Sequence, residues 1–247
     1  MCGIVGYVGS RSVSEFLLEG LHRLEYRGYD SAGIAVISDG EISVRKKAGR
    51  VMELARLVEE QPLFGNIGIG HTRWATHGET TDANSHPHLG GNGEVVIVHN
   101  GVIENHDSLR NQLIALGYVF HSQTDTEVAA HLMAHHLSEQ LKLNSDEPCV
   151  DTCLRAVNLT LDRLKGTYGI CVMFRDCPDT IIAARSGSPL VIGVGKNEYF
   201  LASDSSPLIG CTQDVVYLAD NEVVVLNATG MKIAHRTTGR VQPSIQT

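Results

Sequence analysis

No apolar run in this 247-residue chain approaches the ~18–20 residues that a membrane-spanning helix needs, so no span is expected. Basic blocks are missing as well. With 20 Lys and Arg against 28 Asp and Glu, the net charge is −8, and nothing supplies the concentrated basic face that a nucleic-acid partner wants. The short apolar start is closed by Arg11 rather than preceded by a basic residue, which excludes a secretory signal. The six cysteines are Cys2, Cys149, Cys153, Cys171, Cys177 and Cys211, irregularly spaced and without a CxxC pair. They exclude a disulfide framework and fit a reduced, cytoplasmic protein. There is no internal repeat and no low-complexity segment.

Two catalytic signatures are also missing. Neither Ser186-Gly187-Ser188 nor Asp204-Ser205-Ser206 makes a GxSxG nucleophile elbow. There is no helical HExxH, and Arg73 lies among His71, His77, His86 and His88. These histidines are therefore read as hydrogen-bonding or substrate-contacting groups, not metal ligands. Cys149 and Cys153 could share a helix face, but no second pair lies nearby in sequence. No metal and no cofactor is expected.

What the chain does have begins at its second residue. Removing Met1 would leave Cys2 with a thiol and a free α-amine. Such an amine has a pKa near ~8 and is partly neutral at physiological pH. A nucleophile activated by its own N-terminal amine is an established arrangement. The competing reading makes Cys2 a small apolar residue opening a buried strand.

Hydrophobic residues make up 43% of the chain, ample for a core. Ile4–Val8 reads as a buried strand. Ser12–Glu25 reads as an amphipathic helix with a Ser12/Glu15 capping box. Asp39-Gly40 signals a hairpin. The stretch from Arg73 to Gly93 is long and polar. Glu94–His99 is a buried strand ending in Asn100-Gly101. Thr124 and Glu127 cap a helix running to about Glu139. From Tyr168 to Ala234 strands follow one another on short turns. About ten or more strands and four helices, without βαβ alternation, imply antiparallel pairing and two packed sheets with helices outside. One domain over residues 1–235 is expected, with a polar tail or the start of a linker over 236–247.

Three places stand out beside Cys2. The loop HTRWATHG, His71–Gly78, carries an arginine able to clamp a carboxylate and the chain's one tryptophan. The Asn100 amide and the Gly101 N–H could form an oxyanion hole, or simply an Asn-Gly turn. Asp125, in a first helical turn, could bind an ammonium or only complement the helix dipole.

Together these segments resemble the N-terminal glutaminase domains of the glutamine–fructose-6-phosphate aminotransferases, within the class II (N-terminal nucleophile) glutamine amidotransferases. The stretches that carry the likeness are MCGIVGYVG, Arg23–Gly33 (RLEYRGYDSAG), His71–Gly78, Val98–His106 (VHNGVIENH), Thr124–Val128 (TDTEV) and Ala184–Gly193 (ARSGSPLVIG). The resemblance implies an α+β fold, the four-layer α/β/β/α sandwich with two mainly antiparallel sheets. It implies that Cys2 attacks the glutamine carboxamide while its α-amine relays the proton. Asn100 and Gly101 would hold the oxyanion, Arg73 the substrate carboxylate and Asp125 its ammonium. Thr76, His77 and His86 would line the site, Trp74 would close over it, and Arg27 would support its nucleophile end. The implied partners are L-glutamine and a sugar-isomerase portion binding fructose-6-phosphate, which this chain lacks. The remaining alternatives are another amide substrate and a silent regulatory domain.

Overall fold

The computed structural model describes residues 2–75, 78–143, 147 and 149–246. Among them are fourteen strands and five α-helices. The first sheet holds β1 (Gly3–Val8), β2 (Ser31–Ser38), β3 (Glu41–Ala48), β4 (Ile67–Arg73), β9 (Val191–Val194), β10 (Tyr199–Ala202) and β11 (Val215–Tyr217), in the order β11-β9-β10-β1-β4-β2-β3. The second holds β5 (His88–Gly90), β6 (Val95–Ile103), β7 (Gly166–Phe174), β8 (Cys177–Ser186), β12 (Glu222–Asn227), β13 (Gly230–His235) and β14 (Gly239–Val241), in the order β14-β13-β12-β8-β7-β6-β5. Every pairing within these sheets is antiparallel.

Helices α1 (Val13–Arg23) and α2 (Val51–Glu60) cover the first sheet. Helices α4 (Asp125–Leu143) and α5 (Cys149–Arg163) cover the second, with α3 (His106–Ala115) against α4. The result is four layers, α/β/β/α, as the strand pattern and the resemblance implied.

The layers follow from side-chain alternation along each strand. In β1, Ile4 and Val8 enter the core between the sheets, while Val5 and Tyr7 enter the core under α1. In β6, Val96 and Val98 face between the sheets, and Val95 and Ile97 face the helices on the other side. These strands are buried on both faces, which is why they read as continuous apolar runs. Each such side chain contributes about 1.5–3 kcal/mol relative to exposure.

The same alternation places the functional residues. Along β4, Ile67 and Ile69 belong to the inter-sheet core. His71 and Arg73 share their parity and so point between the sheets at its end. Cys2 shares parity with Ile4, and Asn100 with Val96 and Val98. Register brings Ile4 opposite His71 and Gly3 opposite Thr72. Four chemically active side chains thus converge at one end of the inter-sheet layer.

Three local expectations change. Ser12 makes no side-chain cap bond to α1; the Val13 N–H instead donates to the Gly65 carbonyl at 3.0 Å. A tertiary partner has replaced the local cap. Asn100-Gly101 is no turn, because β6 continues through it to Ile103, paired with β7 throughout. Residues of the expected polar tail form the edge strand β14, and Gln246 bridges to Val215. The Thr124 cap on α4 holds: its hydroxyl accepts from the Glu127 N–H at 3.2 Å. The Glu127 carboxylate reaches back to the His121 and Ser122 N–H groups instead of closing the box on Thr124.

Candidate active site

Cys2 sits at the mouth of β1, and its sulfur touches the backbone leaving β4. The Trp74 N–H donates to Cys2 Sγ at 3.2 Å, and the thiol lies 3.5 Å from the Trp74 carbonyl. Burial pushes the Cys2 thiol up, against that N–H bond; Asp30 also raises it and Arg73 lowers it. At neutral pH the sulfur therefore keeps its proton, and it needs a base to become a nucleophile.

The Cys2 carbonyl is held from two sides. Asn100 Nδ2 donates to it at 3.3 Å and Arg27 Nη1 at 3.4 Å. Arg27 is in turn fixed by an ion pair with Asp204 at 3.0 Å. Arg27 thus reaches the backbone of Cys2. Asp204 holds it there, a role that the Asp204-Ser205-Ser206 segment does not signal in the sequence.

Asn100 is oriented by a histidine. His71 Nε2 lies 3.0 Å from Asn100 Oδ1 and 3.0 Å from the His99 carbonyl. Both partners are acceptors, so Nε2 carries the proton and donates. Burial drives the His71 pKa down to about 3, so the ring is neutral and this tautomer is fixed. With Oδ1 engaged, the Asn100 amide must turn its NH₂ toward Cys2. One amide hydrogen bonds the Cys2 carbonyl, and the NH₂ carries a second.

Gly101 must be glycine. Its φ is +129°, and a Cβ there would lie 2.1 Å from the Thr167 carbonyl oxygen. Across the strand, Asp125 Oδ2 accepts from the Ile103 N–H at 2.9 Å, with His99 Nδ1 4.0 Å away. A carboxylate has further lone pairs beyond that one bond. The residues expected to hold the oxyanion, near the end of β6, and the ammonium, at the start of α4, therefore lie side by side.

Arg73 is only 4% exposed. Its guanidinium donates to the carbonyls of Gly78 and Glu79 at 3.1 and 3.2 Å and faces Asp30 at 3.6 Å. Asp30 also accepts from the Ala75 N–H at 2.5 Å, pinning the segment after Trp74. Nothing in the RLEYRGYDSAG stretch distinguishes Asp30 from its neighbours; its role comes from the fold. Trp74 is 53% exposed, and its indole lies over Gly28, where a Cβ would come within 2.6 Å of the ring. Gly28 has φ +76°, so only glycine suits both its conformation and this contact.

His86 lies below the site. Its ring stacks on His71 at 4.1 Å and meets His88 edge-on at 4.8 Å. Burial lowers the pKa values of His86, His88 and His99 as well. His86 thus backs the orienting histidine. Thr76 and His77 lie outside the described residues.

Two antiparallel sheets between helical layers, with a strand-end cysteine whose carbonyl is held by an oriented amide, define the N-terminal-nucleophile amidotransferase class. Residues 71–210, more than half of the chain, match the family model of the glutamine amidotransferase domain, and the chain belongs to that family. It is 50% identical over 234 residues to a glutamine–fructose-6-phosphate aminotransferase (isomerizing) of Idiomarina loihiensis, covering 94% of this chain and 37% of that protein. It is 46% identical over 242 residues to the enzyme of the same name from Pyrococcus horikoshii, covering 98% and 39%. The chain thus spans under two fifths of the length of these relatives. Among solved structures it resembles a glutamine phosphoribosylpyrophosphate amidotransferase from B. subtilis complexed with ADP and GMP, with a TM-score of 0.76 and 28% identity, over 97% of this chain and 50% of that one. No helix among the described residues is long and apolar enough to cross a membrane.

Proposed function

We propose that this chain hydrolyses L-glutamine to L-glutamate and ammonia, as the ammonia-supplying part of a glutamine–fructose-6-phosphate aminotransferase. The observation that carries the reading is the Asn100 amide, locked by His71 and turned toward Cys2. Once Met1 is removed, the Cys2 α-amine takes the thiol proton as sulfur attacks the side-chain carboxamide carbon. The tetrahedral oxyanion is held by the Asn100 side chain and the Gly101 N–H. The protonated amine then hands its proton to the departing nitrogen, which leaves as ammonia. Water attacks the resulting thioester and releases glutamate with the thiol restored.

Arg73 pairs with the substrate α-carboxylate and Asp125 with its α-ammonium. The resemblance assigns Thr76 and His77 to substrate contact; His86 backs the site, and Trp74 closes over it. Opposite charges at the two ends suit a free amino acid and not a peptide bond, which favours glutamine over another amide. The retained thiol and oxyanion donors argue against a silent domain. The ammonia is proposed to pass to a sugar-isomerase partner that binds fructose-6-phosphate, and the reduced thiols fit a cytoplasmic setting.

The test is glutamate release from glutamine, with the N-terminal mass measured on the same sample. Chains beginning at Cys2 should turn over, and Cys2→Ala should not. A folded, processed chain that releases no glutamate would overturn the reading.

A further inference from the structure

The sequence put Cys149 and Cys153 on one helix face and offered them no further partner. The fold supplies one. Cys149 and Cys153 open α5, one turn apart, with their sulfurs 4.0 Å from each other. The β7–β8 hairpin turns at Arg175-Asp176 and delivers Cys177 to the same point. The three sulfurs all lie within 4.8 Å of one another. We propose that Cys149, Cys153 and Cys177 form a thiolate site for a soft divalent metal ion, zinc first, separate from the glutamine site.

The geometry suits that chemistry. Zinc–sulfur bonds of about 2.3 Å place tetrahedral thiolates about 3.8 Å apart, so the trio needs only small contraction. Soft sulfur donors select zinc over the hard oxygen-seeking cations. Three protein ligands leave a fourth position, which water can fill. A cavity of about 570 Å³ adjoins the cluster, lined by Cys149, Cys177 and Asp179 among others. Cys153 and Cys177 are buried and fixed by packing, while Cys149 is exposed and gives the ion a way in. The Asp176 carbonyl, 2.9 Å from Cys149 Sγ, already accepts from that thiol.

Binding would replace the thiol protons with the metal, the protons passing to solvent.

The site lies away from Cys2. Val8 and Gly9 line the adjoining cavity, roughly 20 Å along β1 from the nucleophile at ~3.3 Å per residue. Along β7, Gly169 pairs with Asn100 while Phe174 pairs with Cys177. Metal bound there would tie the start of α5 to a hairpin tip, a structural role.

The experiment is a Cd²⁺ titration of the reduced, oxygen-free chain carrying Cys2→Ala, followed by sulfur-to-metal charge-transfer absorption, with Zn²⁺ then added as competitor. One equivalent of cadmium should bind, and only a large excess of zinc should displace it, because thiolates favour the softer ion. Adding Cys149→Ser or Cys177→Ser should weaken binding at least tenfold, whereas adding Cys211→Ser should leave it unchanged. With Cys2 intact, Cys149→Ser should keep its glutaminase rate, which separates loss of metal from loss of fold. Absent charge-transfer absorption, failure of a large excess of zinc to displace cadmium, or undiminished binding in both serine variants would overturn the proposal.

Discussion

His71 donates its Nε2 proton to Asn100 Oδ1 at 3.0 Å, and that bond decides which end of the asparagine amide faces Cys2. An unrestrained amide could present its oxygen and repel the oxyanion. His71→Phe keeps the ring and removes the donor. Its kcat should fall by about 10–100-fold with KM nearly unchanged, because the lost interaction serves the transition state. Asn100→Ala should cost about 10²–10³-fold. In the double variant the His71 change should add little, since it acts only through Asn100. Fully additive losses in steady-state kinetics would refute the orienting role.

Gly101→Ala tests the strand end. Its Cβ would sit 2.1 Å from the Thr167 carbonyl oxygen at a φ of +129°. The backbone must move, at a cost of about 1–3 kcal/mol. Chemical denaturation should show that loss, and glutamine turnover should fall with it. A variant of parental stability and rate would contradict the assigned conformation.

Arg73→Lys tests the clamp. The guanidinium donates to the Gly78 and Glu79 carbonyls and lies beside Asp30. Lysine keeps the charge but not the planar fork. One charged hydrogen bond is worth about 1.5–3 kcal/mol, so KM for glutamine should rise roughly 10–100-fold. Wild-type KM in this variant would remove Arg73 from substrate binding.

The buried histidines set an acid limit on stability. His71 titrates at about 3 in the folded chain, against ~6.5 for a free histidine. Between those values the unfolded chain binds the proton and the folded chain does not. Stability contributed by the neutral ring is therefore complete above pH ~6.5 and is lost as pH falls toward about 3. From pH 6.5 to 5 this one ring should cost roughly 2 kcal/mol. His86, His88 and His99, lowered by the same burial, add to it. Denaturation midpoints should drop over this range, and less steeply in His71→Phe. Equal slopes would show that His71 is not the group titrating.

The sequence by itself determined the layers and the cast. The continuous apolar runs GIVGYV and EVVIVH dictate strands buried on both faces, and consecutive strands on short turns dictate antiparallel sheets. Residue chemistry named Cys2, Arg73, Asn100 and Asp125, because thiols, guanidinium groups and amides have few other uses in such loops. Orientation and company were not legible there. Which way the Asn100 amide points depends on His71, 29 positions away and on another sheet. Asp204 steadies Arg27 across 177 positions. The Ser12 cap gave way to the Gly65 carbonyl, and the tail residues found an open sheet edge beside β13. The third thiol at Cys149 and Cys153 comes from a hairpin beyond the end of their helix. Hydrogen bonds and sulfur clusters act over a few ångströms, and only the folded chain brings distant residues within that reach.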